Sequence, residues 1–451
     1  FITCNTESGG NGACADGTYI GNGVKIGATG KEEYAYALGK MSNAEAAAIG
    51  CNMAFSPVCD ILYNWQNTEV VNRAFGNDPE RVAKMSAAYV KGAHENPGFA
   101  CAAKHFPGNG QDFRDAHLSN NVNYFDVEEW DKTYGLVYKT LIENVLDAII
   151  AGHIMLPKYA KAINPDLKDE DMMPATLSPE IMKGLLRDKL GFNGMVVTDA
   201  SHMVGMTDRM KRKDMLPRTI NAGCDMFLFF NDPEEDFTTM LEAYQNGIIS
   251  EERMEEALER ILGLKAHLGL HKKAKEELVP APEALEGVLG SQEHKDMQKA
   301  ISRDSITLVK YKDKEVLPVV PERYKRIMIV HVKGAESGMS ALAKAMGMAG
   351  GTNPAELLRD KLISKGFDAF IYESPVDKMK KQIEAGEKPD INIYFAGKNA
   401  IADFVKDMDL VITLCDINEG RPSFGLSKGG GEIPWYVFEI PVVAVSCRQP
   451  T

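Results

Sequence analysis

Short apolar runs recur along the first 270 residues, each closing in a polar cluster and each followed by a segment of helical periodicity. The runs are FITC (1–4), NMAFSPVC (52–59), GFACAA (98–103), DAIIAGHIM (147–155), GMVVT (194–198) and GCDMFLFF (223–230). Amphipathic stretches such as ERVAKMSAAYVKGAH (80–94) lie between them. One such stretch opens with Ser178 as N-cap and Pro179 at the first helical position, sets Ile181, Met182, Leu185 and Leu186 on one face, and stops at Gly191. Apolar strands alternating with helices predict parallel βα units. Six strands are visible, whereas a closed (β/α)8 barrel takes eight. The chain opens abruptly on FITCN and stops just after the strand-like PVVAVSC. We therefore expect both ends to be truncated, with the first strands of a TIM-like barrel missing from residues 1–270.

The alternation lapses over 271–300, where KKAKEELVPAPEALEGVLGSQEH is rich in charge, Pro and Gly and reads as a linker. It resumes over 301–451 with RIMIVHV (326–332), a helix through AELLRDKLISKG (355–366), DAFIYE (368–373), DLVITLC (409–415) and IPVVAVSC (440–447). That order predicts a smaller α/β sandwich domain. Its glycine runs, GMSALAKAMGMAGG and SKGGGE, are not GxGxxG turns placed directly after a strand, so they make a weak case for nucleotide binding.

Composition narrows the function. The chain is 44% hydrophobic and 25% charged, as a soluble globular protein with sizeable cores would be. A net charge of −13 without a basic run argues against nucleic acid and anionic membrane as partners. No stretch approaches the roughly 20 apolar residues that span a bilayer. The eight cysteines stand singly, several inside apolar runs, which suits buried thiols and a cytoplasmic location. Nothing in the residues indicates an oligomeric state.

In barrels of this class the chemistry sits at the C-terminal strand ends. The strand FACAA runs into Lys104 and His105, GMVVT runs into Asp199, and FSPVC runs into Asp60. The segment KHFPGNGQDFRDAH (104–117) packs two histidines, a lysine and two aspartates onto one loop, and Gly108, Asn109 and Gly110 would let it bend over a ligand. A metal site is the weakest reading of these histidines, because no HExxH or comparable spacing occurs. His153 is read as structural, and His202, three residues past Asp199, stays undecided.

This loop, followed by GFNGMVVTDASHM (191–203), resembles glycoside hydrolase family 3, and within it the β-N-acetylglucosaminidase branch. ESGG (7–10), SPVCD (56–60), NRAFGNDPE (72–80), AGCDMFLF (222–229), RILGLKAHLGL (260–270) and ISRDSITLVK (301–310) carry the likeness across nearly the whole chain. Two positions depart from the pattern. Ala116 stands where the family prefers a small polar or thiol residue, and Asn5 stands where it usually has Asp.

The resemblance implies a retaining exo-β-N-acetylglucosaminidase that needs no cofactor. It makes Asp199 the nucleophile and a His117–Asp115 dyad the acid/base, with Lys104, His105, Arg73 and Asn5 binding sugar hydroxyls. A histidine suits the proton-transfer role, since it titrates near neutrality, and a carboxylate can fix its tautomer. The implied partner is a β-linked amino-sugar oligosaccharide or a muropeptide. Three alternatives stay open. One is a β-glucosidase or related β-glycosidase, which could recruit Glu419 or Glu432 from the second domain. Another is a phosphorylase, because a histidine repels incoming phosphate less than a carboxylate would. The last is a non-catalytic carbohydrate-binding relative.

Overall fold

The computed structural model describes residues 1–274, 277–311, 316–333, 353–390, 401–416 and 438–447. The chain divides into two compact units, Phe1–Thr307 and Leu308–Thr451. Among the described residues no helix is long and apolar enough to cross a membrane, and no disulfide joins the cysteines.

The first unit is built on a curled parallel sheet of the (β/α)8-barrel type. Its strands are β1 (Thr3–Cys4), β2 (Met53–Ala54), β3 (Ala100–Phe106), β5 (Ala148–Ala151), β7 (Met195–Ala200) and β8 (Met226–Leu228), bonded in that order. All six anticipated strands are therefore present. A separate two-stranded ladder joins β4 (Asn121–Val122) to β6 (Ile154–Met155) beyond the strand ends. Strand alternation divides the core in two. Met53, Phe55, Ala100, Ala102, Ala148, Ile150, Met195 and Val197 fill the interior together with Leu264 and Leu268. The intervening Cys101, Ala103, Ile149, Ala151 and Val196 pack outward among the helix side chains.

The helix anticipated at 80–94 spans Pro79–Ala93, with the Asp78 carboxylate accepting from the Glu80 amide. The helix after Ser178 spans Glu180–Lys189, is wound as a π-helix, and buries the expected Ile181, Met182, Leu185 and Leu186.

The C-terminal part of the stretch read as a linker is anchored to the first unit. The helix Gln292–Asp304 buries Ile301. His294 Nδ1 lies 2.6 Å from the buried Glu45 carboxylate, and the Lys31 ammonium and Tyr34 hydroxyl both donate to Asp304. Its high polarity hid its membership of the first unit, because the anchoring side chains are themselves charged. The second unit is a parallel sheet ordered β10 (Asp368–Ile371), β9 (Arg326–Lys333), β11 (Leu410–Asp416) and β12 (Val442–Ser446). Ile327, Ile329, Leu410, Ile412 and Leu414 form its principal core cluster, and Met328, Val330 and Val411 form another. Both glycine runs, along with Glu419 and Glu432, lie outside the described residues.

Candidate active site

Three strands deliver an ion cluster to the C-terminal side of the first sheet. Lys104, near the end of β3, donates to Asn5 Oδ1 at 2.8 Å and pairs with Glu7 Oε1 at 2.6 Å, both just past β1. Arg73, from the segment following β2, grips the other face of the same carboxylate with Nε and Nη2, each at 2.8 Å. Burial works against ionisation of Glu7, but Lys104 and Arg73 outweigh it and hold its carboxyl well below the usual range. Burial also pulls the Lys104 ammonium down, with Glu7 opposing. The two cations and one carboxylate therefore stabilise one another where water is scarce.

A regular strand would point Lys104 and His105 to opposite faces. The β3–β5 register shifts between Lys104 and Phe106, and this irregularity brings both side chains to the site. His105 Nδ1 lies 2.7 Å from the fully buried Asp60 carboxylate, and its Nε2 edge stands 3.8 Å from Asp199 Oδ2. Asp60 also accepts the His105 and Asn109 amides at 3.1 and 2.7 Å, so it orients the ring and the loop together. Asp199 lies on β7 and is partly exposed. Burial would raise its carboxyl, but His105, His153, the Ala200 amide and Lys104 outweigh that and keep it below its ordinary value. The carboxylate is thus ionised at neutral pH. His153 is a structural residue: its Nδ1 lies 3.0 Å from Thr176 Oγ1 and its Nε2 lies 2.9 Å from the Ala200 carbonyl. Burial pushes its imidazole toward the neutral form.

The loop that follows is held rigidly at its start. Gly108 has φ +115°, and a Cβ there would lie 2.1 Å from the Tyr134 ring; at Gly110, φ +113°, it would lie 2.0 Å from the Ile61 carbonyl. Trp130 Nε1, Asn123 Nδ2 and the Tyr134 hydroxyl donate to the carbonyls of Pro107, Gly108 and Asn109. These glycines permit close packing, in contrast to the bending anticipated for them. Further along, His117 Nδ1 donates to Asp115 Oδ1 at 2.7 Å, closing the expected pair. Between them Ala116 is buried against Ala200 and Met203. Its carbonyl accepts the Gly205 amide at 2.9 Å, and that of His117 accepts the Val204 amide at 3.3 Å. The departure at Ala116 thus provides a small apolar contact between the dyad loop and the segment just after Asp199.

A second carboxylate joins the pair. Glu69 Oε1 lies 3.4 Å from His117 Nδ1. The Glu69 carboxylate facing Nδ1 is the largest influence on the imidazole; burial opposes it, Asp115 adds to it, and the ring is pushed up to about 9. Glu69, Asp115 and His117 bring three possible ligand atoms within 4.8 Å of one another. Because the shared Nδ1 is spent on hydrogen bonding to the carboxylates, the geometry describes a held proton rather than a coordination sphere.

Residues 1–264 match the model of the glycosyl hydrolase family 3 N terminal domain. The chain belongs to glycosyl hydrolase family 3. It is 36% identical to a "Beta-N-acetylglucosaminidase/beta-glucosidase" of Cellulomonas fimi, over 100% of this chain and 76% of that relative. A solved structure titled "Beta-glucoside phosphorylase BglX bound to 2FGlc" superposes with a TM-score of 0.83 at 35% identity, covering 99% of this chain and 75% of that one. The fold alone is shared with a family 3 β-N-acetylglucosaminidase from Paenibacillus sp. str. FPU-7, with a TM-score of 0.73 at 22% identity over 100% and 78% of the two chains. As a family 3 member the protein is a glycoside hydrolase with a barrel domain followed by an α/β domain.

The structure brings Lys104, His105, Arg73, Asn5 and Asp199 into one connected cluster and places His117 and Asp115 on a loop bonded to the segment after Asp199. Sequence reasoning passed over Glu7, although ESGG had been noticed, and took Asp60 only as a strand end. It missed Glu69 altogether, since a lone glutamate in QNTEVV carries no motif. His202 stacks on Phe229 with ring centroids 6.3 Å apart and helps line a cleft of about 230 Å³ with Arg212 and Asn231.

Proposed function

We propose that this family 3 enzyme is a retaining exo-β-N-acetylglucosaminidase. Asp199 attacks the anomeric carbon to form a covalent glycosyl ester, while His117, supported by Asp115, protonates the departing oxygen. Water then attacks the ester, and the imidazole takes up its proton. Lys104, Arg73, His105 and Asn5 bind hydroxyls of the terminal sugar, with Glu7 and Asp60 holding the first three in place. The natural substrate on this reading is a β-linked amino-sugar oligosaccharide or muropeptide. The observation that carries it is the pairing of an ionised strand-end carboxylate with a histidine–aspartate couple on an adjoining loop. The name of the Cellulomonas fimi relative includes this sugar alongside glucose. The test is release of a chromophore from a nitrophenyl N-acetyl-β-glucosaminide in preference to the β-glucoside. A clear preference for the glucoside would reject the amino-sugar assignment.

One observation favours a second acceptor. The carboxylates beside Nδ1 push the His117 imidazole up to about 9, which favours the imidazolium at neutral pH. An imidazolium attracts phosphate, an anion that needs no deprotonation. The β-glucoside phosphorylase likeness points the same way. Turnover that rises with phosphate and yields a sugar 1-phosphate would establish phosphorolysis; turnover indifferent to phosphate would establish hydrolysis.

A further inference from the structure

We infer that Glu69 is a positioning residue for the acid/base pair, gripping the Nδ1 edge of His117 from a separate element so that the opposite edge, Nε2, faces the departing oxygen. The inference rests on the reading of His117 proposed above.

The dyad has a mechanical problem. His117 is 59% exposed, and its Asp115 partner sits two residues away on the same loop, so that pair alone holds the exposed ring only from its own segment. Glu69 comes from the segment between β2 and the helix Pro79–Ala93 and is only 8% exposed. A carboxylate so enclosed needs partners. Its Oε2 accepts from Asn109 Nδ2 at 2.8 Å and from Asn121 Nδ2 at 3.2 Å. Its amide donates to Asn67 Oδ1 at 3.1 Å, and its carbonyl accepts from Arg73 Nη1 at 3.0 Å. With Oε2 and the backbone fixed, Oε1 is the oxygen turned toward His117. Arg73 belongs to the sugar-binding cluster, so one segment registers the proton donor against the ring it must serve. The titratable groups bearing on His117 are Asp115 from its own loop, Glu69 from the segment after β2 and His153 from the loop after β5.

The sign follows directly. A neighbouring carboxylate favours the imidazolium, so removing it should let the proton leave at lower pH. The experiment compares wild type, Glu69→Gln, Glu69→Asp and His117→Ala on an alkyl and a nitrophenyl N-acetyl-β-glucosaminide, recording kcat/KM against pH and the melting temperature. For Glu69→Gln we expect the basic limb on the alkyl substrate to move down by about one pH unit, with roughly tenfold or greater loss there and little loss on the nitrophenyl substrate. Glu69→Asp should move the limb by less in the same direction, and it carries the test if the Gln variant fails to fold. An unmoved limb in a folded variant, or equal losses on both substrates, overturns the positioning role. His117→Ala separates the two failures. If it abolishes the basic limb while the Glu69 variants leave it unmoved, only this inference falls; if it keeps a wild-type profile, the reading of His117 falls first.

Discussion

The site has two halves with opposite physical characters. The half proposed to bind the sugar, Lys104, Arg73, Glu7, His105 and Asp60, is set on or beside strand ends and largely enclosed, and its charges are paired. The half proposed to transfer the proton, His117 with Asp115, lies on a loop and is half open to water. Enclosure suits groups that must hold a fixed geometry, because paired charges in low dielectric bind one another strongly. Openness suits a group proposed to give a proton to the departing oxygen and take one back from the attacking water in each turnover. Asp199 stands between them, on a strand yet partly exposed, and is held ionised by the neighbours named above.

Substitutions can break this contrast, beginning with the largest effect. Asp199→Ala should lower turnover by about 10⁴-fold or more while leaving the melting temperature near wild type, since a strand-end carboxylate contributes little to the core. Retained turnover would refute the nucleophile assignment. His117→Ala should cost about 10²–10³-fold on substrates with poor leaving groups and far less on activated aryl glycosides; equal losses would make His117 a binding residue.

The enclosed half should respond through stability instead. Glu7→Gln leaves two enclosed cations without their shared anion and should destabilise the fold by about 3 kcal/mol, measured by chemical denaturation. Because the folded carboxyl is held low, that contribution is present above the ordinary carboxylate range and is lost only as pH falls through the much lower folded value. The difference between wild type and Glu7→Gln should therefore persist at pH 6 and shrink in strong acid. A difference that vanished at pH 6 would contradict the pairing. Smallest is Gly108→Ala, where strain at positive φ and contact with Tyr134 should cost about 2 kcal/mol. A neutral result there would show that the loop yields, restoring the flexible reading.

The resemblance made the dyad legible before any coordinates, and the polar strand ends made the cluster around Lys104 visible as a group. The meaning of Ala116 was not legible, because its partners Ala200 and Met203 lie more than eighty residues away. Nor was the role of Gly108 and Gly110, whose neighbours Tyr134 and Ile61 come from other elements. In each case the residue type was visible and the contact was not.

By itself the amino-acid order determined the alternation of strand and helix, the six barrel strands and the residues crowding their ends, because backbone periodicity and strand-end polarity are local properties. Only the tertiary structure decided which charges share a partner. Glu7 bridges Lys104 and Arg73, Asp60 turns His105 toward Asp199, and Glu69 reaches His117. Those pairings depend on strands and loops far apart in sequence being brought within about 4 Å, the range over which opposite charges set each other's ionisation.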